Sequence, residues 1–177
     1  MTISRLAPVR PILLFTMPAV DRLHIDIASQ QLLALSGLHE VLRYPVSTAS
    51  QGTGSAKGSH QTPMGDHRIR LKIGAGCPLG AVFLGRRWTG EVIDDTLRAR
   101  FPTRDWILTR VLWLQGLEPA LNRGGDVDTL RRFVYIHGTH EERLIGQPVS
   151  FGCVRMRNAD IADLYERVPA DCRLRIE

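Results

Sequence analysis

Polar and apolar positions alternate along much of the chain with a period of two, the signature of half-buried strands rather than helices. His24-Ile25-Asp26-Ile27 alternates in this way, and Gln31 to Leu35 supplies a partner strand. Ser36-Gly37 turns the chain. Val41 to Val46 reads as a third strand, and Pro45, which cannot donate to a ladder, places it at an edge or a bulge. The opening is therefore a β-meander. Gln51 to Gln61 is rich in Gly, Ser and Thr without an apolar period, which predicts a mobile surface loop. Thr62-Pro63-Met64-Gly65 reads as a turn, and Arg68 to Ile73 as a strand with one wet face.

Between Gly74 and Asp128 the pattern predicts strands at Ala81–Leu84 and Ile107–Leu114, and a short helix over Asp94–Phe101 bounded by Pro102. Trp88, Trp106 and Trp113 suit a core or a groove wall. Phe133-Val134-Tyr135-Ile136 is a further strand. Ile161, Leu164, Tyr165 and Val168 recur at helical spacing, with Asn158 as expected N-cap, Arg167 near the end and Pro169 closing the segment. Arg173 to Ile176 returns as a last strand. Many short strands with few helices make the fold mainly β (α+β), a β-sandwich-like core with a few short helices.

A chain of 177 residues, 44% of them apolar, suits one domain with a full core. We expect an N-terminal arm over 1–22 and a single domain over 23–177. The net charge of +5 comes mostly from arginine, with Lys57 and Lys72 the lysines, and it is spread among the acids instead of forming a nucleic-acid-binding stripe. Arginine grips carboxylates through two parallel hydrogen bonds, so an anionic substrate is compatible with this composition. Cys77, Cys153 and Cys172 share no Cys-x-x-Cys spacing and cannot all pair, which argues against a disulfide framework. Cys172 reads as an inert buried thiol and Cys77 as a loop thiol. The apolar run Pro11 to Val20 is short, broken by prolines and without a cleavage-site pattern, and no run approaches the ~20 apolar residues of a membrane span. The expectation is a cytoplasmic protein, or a periplasmic one if an export segment has been removed.

Candidate chemistry concentrates in Val134 to Asn158, VYIHGTHEERLIGQPVSFGCVRMRN. A thiol nucleophile near pKa 8.5 needs a base to take its proton, and His137 is the candidate partner of Cys153. Glycines beside both residues allow substrate and backbone amides to approach closely, as an oxyanion site for acyl transfer requires. A competing arrangement uses His137, His140 and Cys153 as three zinc ligands with a neighbouring glutamate as base.

The string Ile136-His137-Gly138 followed by Ser150-Phe151-Gly152-Cys153-Val154-Arg155 resembles the catalytic signature of the L,D-transpeptidase (YkuD-like) domain family, H-G…[S/T]-H-G-C-x-R. Tyr44-Pro45-Val46-Ser47-Thr48 and Thr62-Pro63-Met64-Gly65 through Ile69 resemble a second family pattern. The resemblance spans roughly His24 to Ile176 and departs at Phe151, where the family usually has histidine. It implies a β-sandwich-like catalytic domain acting on peptidoglycan tetrapeptide stems or muropeptides, with no cofactor. Cys153 would be the nucleophile, His137 the base, the Gly138 carbonyl the group orienting the imidazole, and the amides of Gly152 and Cys153 the oxyanion donors. Ser150, Phe151 and Arg155 would contact substrate, Arg155 either holding a carboxylate or bracing the loop. The family's segment before the histidine forms a flap, so selective contacts are expected within Gly74–Asp128. Water as acceptor makes an L,D-carboxypeptidase, the outcome expected of a cytoplasmic member, and an amine makes a transpeptidase. An inactive peptidoglycan-binding module is the reading that Phe151 alone suggests.

Overall fold

The computed structural model describes residues 18–177, so the N-terminal arm up to residue 17 lies outside the described residues. Its strands are β1 (Arg22–Asp26), β2 (Gln31–Ser36), β3 (His39–Pro45), β4 (Gly65–Ile73), β5 (Ala81–Leu84), β6 (Arg87–Val92), β7 (Ile107–Gly116), β8 (Tyr135–Gly138), β9 (Val154–Met156) and β10 (Arg173–Ile176). Two helices, α1 (Asp95–Arg100) and α2 (Asn158–Arg167), accompany them. β1, β2 and β3 form the expected antiparallel meander, with Pro45 at the end of the outer strand β3. β10 inserts between β1, to which it is parallel, and β4, to which it is antiparallel.

β7 is the branch point of the sheet. Leu112 faces Lys72 of β4 across one edge and Ile136 of β8 across the other, while the start of β7 pairs with β5. β9 then runs parallel to β8, and the bridge between Ser47 and Arg155, with both N–H···O distances 2.9 Å, ties β9 back to the end of β3. The sheet thus rolls almost completely around one core. Leu23, Ile25, Leu32, Ile69, Leu112, Ile136, Val154 and Leu174, drawn from both limbs of the roll, all pack into it. This is the mainly β, sandwich-like architecture. α2 closes the open side by burying Ile161, Leu164 and Tyr165, each fully buried side chain contributing about 1.5–3 kcal/mol. Among the described residues no helix is long and apolar enough to cross a membrane.

Several expectations are corrected. A bulge between Ile69 and Leu71 interrupts β4, so Leu71 faces outward, and Lys72 turns toward α2, its Nζ donating to the Val168 carbonyl at 2.6 Å. β6 is exposed throughout and carries no apolar alternation, which hid it from the sequence. Asn158 is the first helical residue and Arg157 occupies the cap without a side-chain bond, because the Asn158 amide group is committed elsewhere. The Gln51–Gln61 loop is tied down: the Gly54 N–H donates to the Thr62 carbonyl at 2.9 Å, the Thr62 N–H donates to the Gly52 carbonyl at 3.0 Å, and Arg132 donates to the carbonyls of Gly54 and Gln61 at 3.1 and 2.7 Å.

His67 gives the fold a pH dependence. Fully buried, it donates from Nδ1 to the Gly65 carbonyl and accepts at Nε2 from Thr129 Oγ1, and burial depresses its pKa to about 4. The unfolded chain, with histidine near 6.5, binds the proton first as pH falls, so the contribution is present above pH 6.5 and is lost progressively toward pH 4. The loss is on the order of 3 kcal/mol. Urea unfolding between pH 7 and pH 4 checks it; a His67→Asn variant whose stability falls as steeply as wild type over that range would contradict the assignment to this residue.

Candidate active site

The parallel pair β8–β9 sets the geometry. Ile136 lies opposite Val154, and both point into the main core. Alternation then sends Tyr135, His137, Cys153 and Arg155 to the other face. There Tyr135 and Val111 form a second apolar cluster with Ala81 and Phe83 of β5, and Cys153 packs against it. His137 is completely buried beneath this cover.

The imidazole is fixed by its neighbour. His137 Nδ1 donates to the Gly138 carbonyl at 2.8 Å, which leaves Nε2 as the lone-pair nitrogen, and Nε2 is buried with no hydrogen-bond partner among the described residues. Buried unsatisfied nitrogens are rare enough to call for a reason, and this one is an imidazole lone pair free to accept a proton. Burial holds the His137 pKa below its ordinary value, with the Asp105 carboxylate opposing and the Arg155 guanidinium assisting. Only glycine fits at 138: a Cβ there would lie 2.8 Å from the Leu108 carbonyl oxygen and against Asn158 Oδ1. Asn158 in turn accepts from Thr109 Oγ1 and donates to the Thr139 carbonyl, locking α2 to the end of β8.

Cys153 Sγ accepts from the Tyr135 N–H at 3.4 Å and lies 3.6 Å from the Phe133 carbonyl oxygen. Burial pushes the thiol up to about 12, against the pull of that N–H and of Arg155 and Arg132. At neutral pH both partners are therefore uncharged. The turn before the cysteine is built around Ser150, whose hydroxyl donates to the Cys153 carbonyl and accepts from the Gly152 N–H at 3.2 Å. Gly152 has φ +121°, a conformation open to glycine, and Thr62 Oγ1 donates to its carbonyl at 3.2 Å. The Thr62-Pro63-Met64-Gly65 turn thus reaches the site through one hydroxyl.

Substrate contact was expected of Ser150 and of Arg155 in one of its two roles. Ser150 is fully buried and its hydroxyl is occupied within the turn. Arg155 has a side chain only 3% exposed and bridges two carboxylates, Nη1 to Glu141 at 2.7 Å and Nη2 to Asp105 at 2.8 Å, so it braces instead of reaching solvent. Phe151 is 60% exposed, edge-on to His60 with ring centroids 6.3 Å apart. The three-ligand zinc arrangement does not form. His140 lies against Trp106 on the α1 side, and among the described residues no group of three His, Cys, Asp or Glu is placed to hold a metal.

Cys153 opens onto a cleft of about 250 Å³ lined by Lys57, Gly58, His60, Arg131, Arg132, Phe133, Val134, Phe151 and Gly152. None of these comes from Gly74–Asp128, where selective contacts were expected. The segment around α1 instead lines a separate hollow with His140 and Arg143. Asp105, Glu141 and Arg132 went unnoticed in the sequence, since each acts through tertiary contact with no local motif.

The model of the L,D-transpeptidase catalytic domain family matches residues 20–176. A 43-residue stretch is 51% identical to "Probable L,D-transpeptidase YbiS" of Escherichia coli K12, covering 24% of this chain and 14% of that protein. Another, of 45 residues, is 47% identical to "Probable L,D-transpeptidase ErfK/SrfK" of Salmonella typhimurium, covering 25% of this chain and 15% of that protein. A solved L,D-transpeptidase from Xylanimonas cellulosilytica superposes with TM-score 0.53 at 22% identity, over 96% of this chain and 65% of that one. One from Mycobacterium smegmatis gives TM-score 0.52 at 16% identity, over 90% and 59%. At such identities the structural likeness concerns the fold. The matched stretches span about a seventh of those two curated relatives, and the chain covers under two thirds of these solved chains.

Proposed function

The chain belongs to the family of L,D-transpeptidase catalytic domains, and from that premise we propose that it is a cysteine acyl-transfer enzyme acting on peptidoglycan tetrapeptide stems. The observation that carries this reading is the unpartnered, buried Nε2 of His137 on the same strand face as Cys153, whose thiol opens onto a cleft. As Sγ attacks the carbonyl of the third-position diaminopimelate, its proton passes to His137 Nε2. The tetrahedral oxyanion then meets backbone amide; the Gly152 N–H is already held by Ser150 Oγ, so the Cys153 N–H is the donor with capacity to spare. Collapse breaks the C–N bond, His137 returns the proton to the departing D-alanine amine, and a thioester remains. Gly138 keeps the imidazole in the tautomer this shuttle requires.

Water resolving the thioester gives an L,D-carboxypeptidase, and an amine gives a transpeptidase. Among the described residues the cleft lining is cationic, with Lys57, Arg131 and Arg132 and no carboxylate to gather an amine that arrives as ammonium, which supports water. Mass spectrometry of a disaccharide tetrapeptide incubated with the protein, with and without added D-amino acid, tests this. Tripeptide in both samples is expected. Terminal-residue exchange or cross-linked dimer would move the assignment to transpeptidase, and unchanged tetrapeptide in both would remove the enzymatic reading.

A further inference from the structure

We infer that the cleft beside Cys153 contains a carboxylate subsite formed by Lys57 and Arg131. The inference rests on the acyl-transfer reading and adds to it the group by which substrate is held. Four cationic or titratable bases, Lys57, His60, Arg131 and Arg132, line this cleft, and among the described residues no Asp or Glu lines it with them, the nearby Asp128 carboxylate accepting the Arg131 backbone N–H.

The four are not equivalent. Arg132 is half-buried and its guanidinium holds the Gly54–Gln61 loop in place through Gly54 O, Ser59 Oγ and Gln61 O, so its charge is present but three of its donors are occupied. His60 packs edge-on against Phe151. Lys57 and Arg131 differ from both: each is exposed, and among the described residues neither side chain forms an ion pair or hydrogen bond. Their backbones are nonetheless fixed, the Lys57 N–H donating to the Asp126 carbonyl at 2.7 Å and the Arg131 N–H to Asp128 Oδ1 at 2.9 Å. Two anchored stems thus carry unoccupied donors at the mouth of the nucleophile's cleft. Charge-assisted bonds to a carboxylate are the interactions such donors make best, and Arg131 can make them in pairs.

The size of the cleft limits what enters. Pockets for drug-sized ligands run about 300–1,000 Å³, so a volume of about 250 Å³ admits roughly one residue of a peptide and not a glycan. A stem peptide offers carboxylate from two sources near the scissile bond, its free C-terminus and the side chain of its third residue. Both present the same chemistry to Lys57 and Arg131.

The test compares three reactions for wild type and for the double variant Lys57→Gln, Arg131→Gln, those of the tetrapeptide, its C-terminal amide and the analogue with lysine at the third position, with thermal unfolding measured as a control. Wild type is expected to prefer a carboxylate-bearing peptide by ten- to a hundredfold in kcat/KM, mostly through KM, and the double variant to lose that preference without a change in melting temperature. Loss of discrimination against the amide assigns the subsite to the C-terminus, and loss against the lysine analogue assigns it to the third residue. A wild type that turns over all three peptides equally overturns the subsite while leaving the thiol chemistry standing. Full preference in the double variant overturns the assignment to Lys57 and Arg131. Absence of turnover with every peptide overturns the acyl-transfer reading, and the subsite with it.

Discussion

Cys153→Ala is expected to abolish turnover of tetrapeptide completely while leaving the melting temperature nearly unchanged, since the sulfur makes only two long polar contacts, with the Tyr135 N–H at 3.4 Å and the Phe133 carbonyl at 3.6 Å. His137→Gln should cost about two to four powers of ten, the usual range for a general base. The pH profile is the sharper test. With the thiol pushed up to about 12 and the imidazole held below its ordinary 6.5, the resting pair is neutral, and the proton moves only as the carbonyl is attacked. The group that must be deprotonated is His137, so kcat/KM should hold level on descending to pH 6.5 and fall only below it. Iodoacetamide, which needs a thiolate, should label resting Cys153 slowly at pH 7 and faster as pH rises. Rapid labelling at pH 7 with a midpoint under 7 would show a resting thiolate–imidazolium pair and refute this account.

Much of the fold was legible because its strands are short, alternating and bounded by glycine or proline. β5 and β10 have the predicted limits, and α1 begins after Asp94, whose carboxylate accepts from the Leu97 N–H as a cap should. What the pattern missed had other causes. β6 buries nothing, so no hydrophobic period marks it. Phe133 was assigned to a strand, yet it adopts φ +58° and lies 48% exposed, stacked at 5.9 Å on Trp113 with Arg86 over its face. An aromatic in a left-handed position reads in one dimension like any strand residue.

Of the candidate site, the residues proposed to carry chemistry stand out in the sequence and the residues that hold them in place do not. Cys153, His137 and Gly138 lie in one stretch that a family pattern marks. Asn158 was visible as a polar residue before a helix, but local propensity assigned it a cap, whereas its amide group ties β7, the residue after β8 and the Glu142 carboxylate together. Ser150 shows the same limit of one-dimensional reading: a hydroxyl beside a candidate nucleophile suggests substrate, and only the three-dimensional turn shows its hydroxyl bonded to the Cys153 carbonyl and the Gly152 N–H.

Arg155→Met should produce the largest effect outside the proposed catalytic pair. The arginine is nearly inaccessible, carries the backbone bridge that closes β9 onto Ser47, and joins Asp105, from the approach to β7, to Glu141, from the loop after β8. Removing one member of a buried ion pair typically costs 3–5 kcal/mol, and because Asp105 and Glu141 are 39% and 38% exposed and can recover water, about 3 kcal/mol is expected here. Arg155→Lys should recover little of it, since one ammonium cannot reach two carboxylates that a planar guanidinium spans. Activity should fall about a hundredfold, and the pH profile should show why. Arg155 presently opposes the field of Asp105 at His137, so its loss leaves Asp105 to favour the imidazolium, raising the His137 pKa and moving the acid limb of kcat/KM to higher pH. Adding Asp105→Asn should bring that limb back down while leaving the stability loss largely in place. A brace with no electrical role would lower activity without moving the limb, and that result would confine Arg155 to packing.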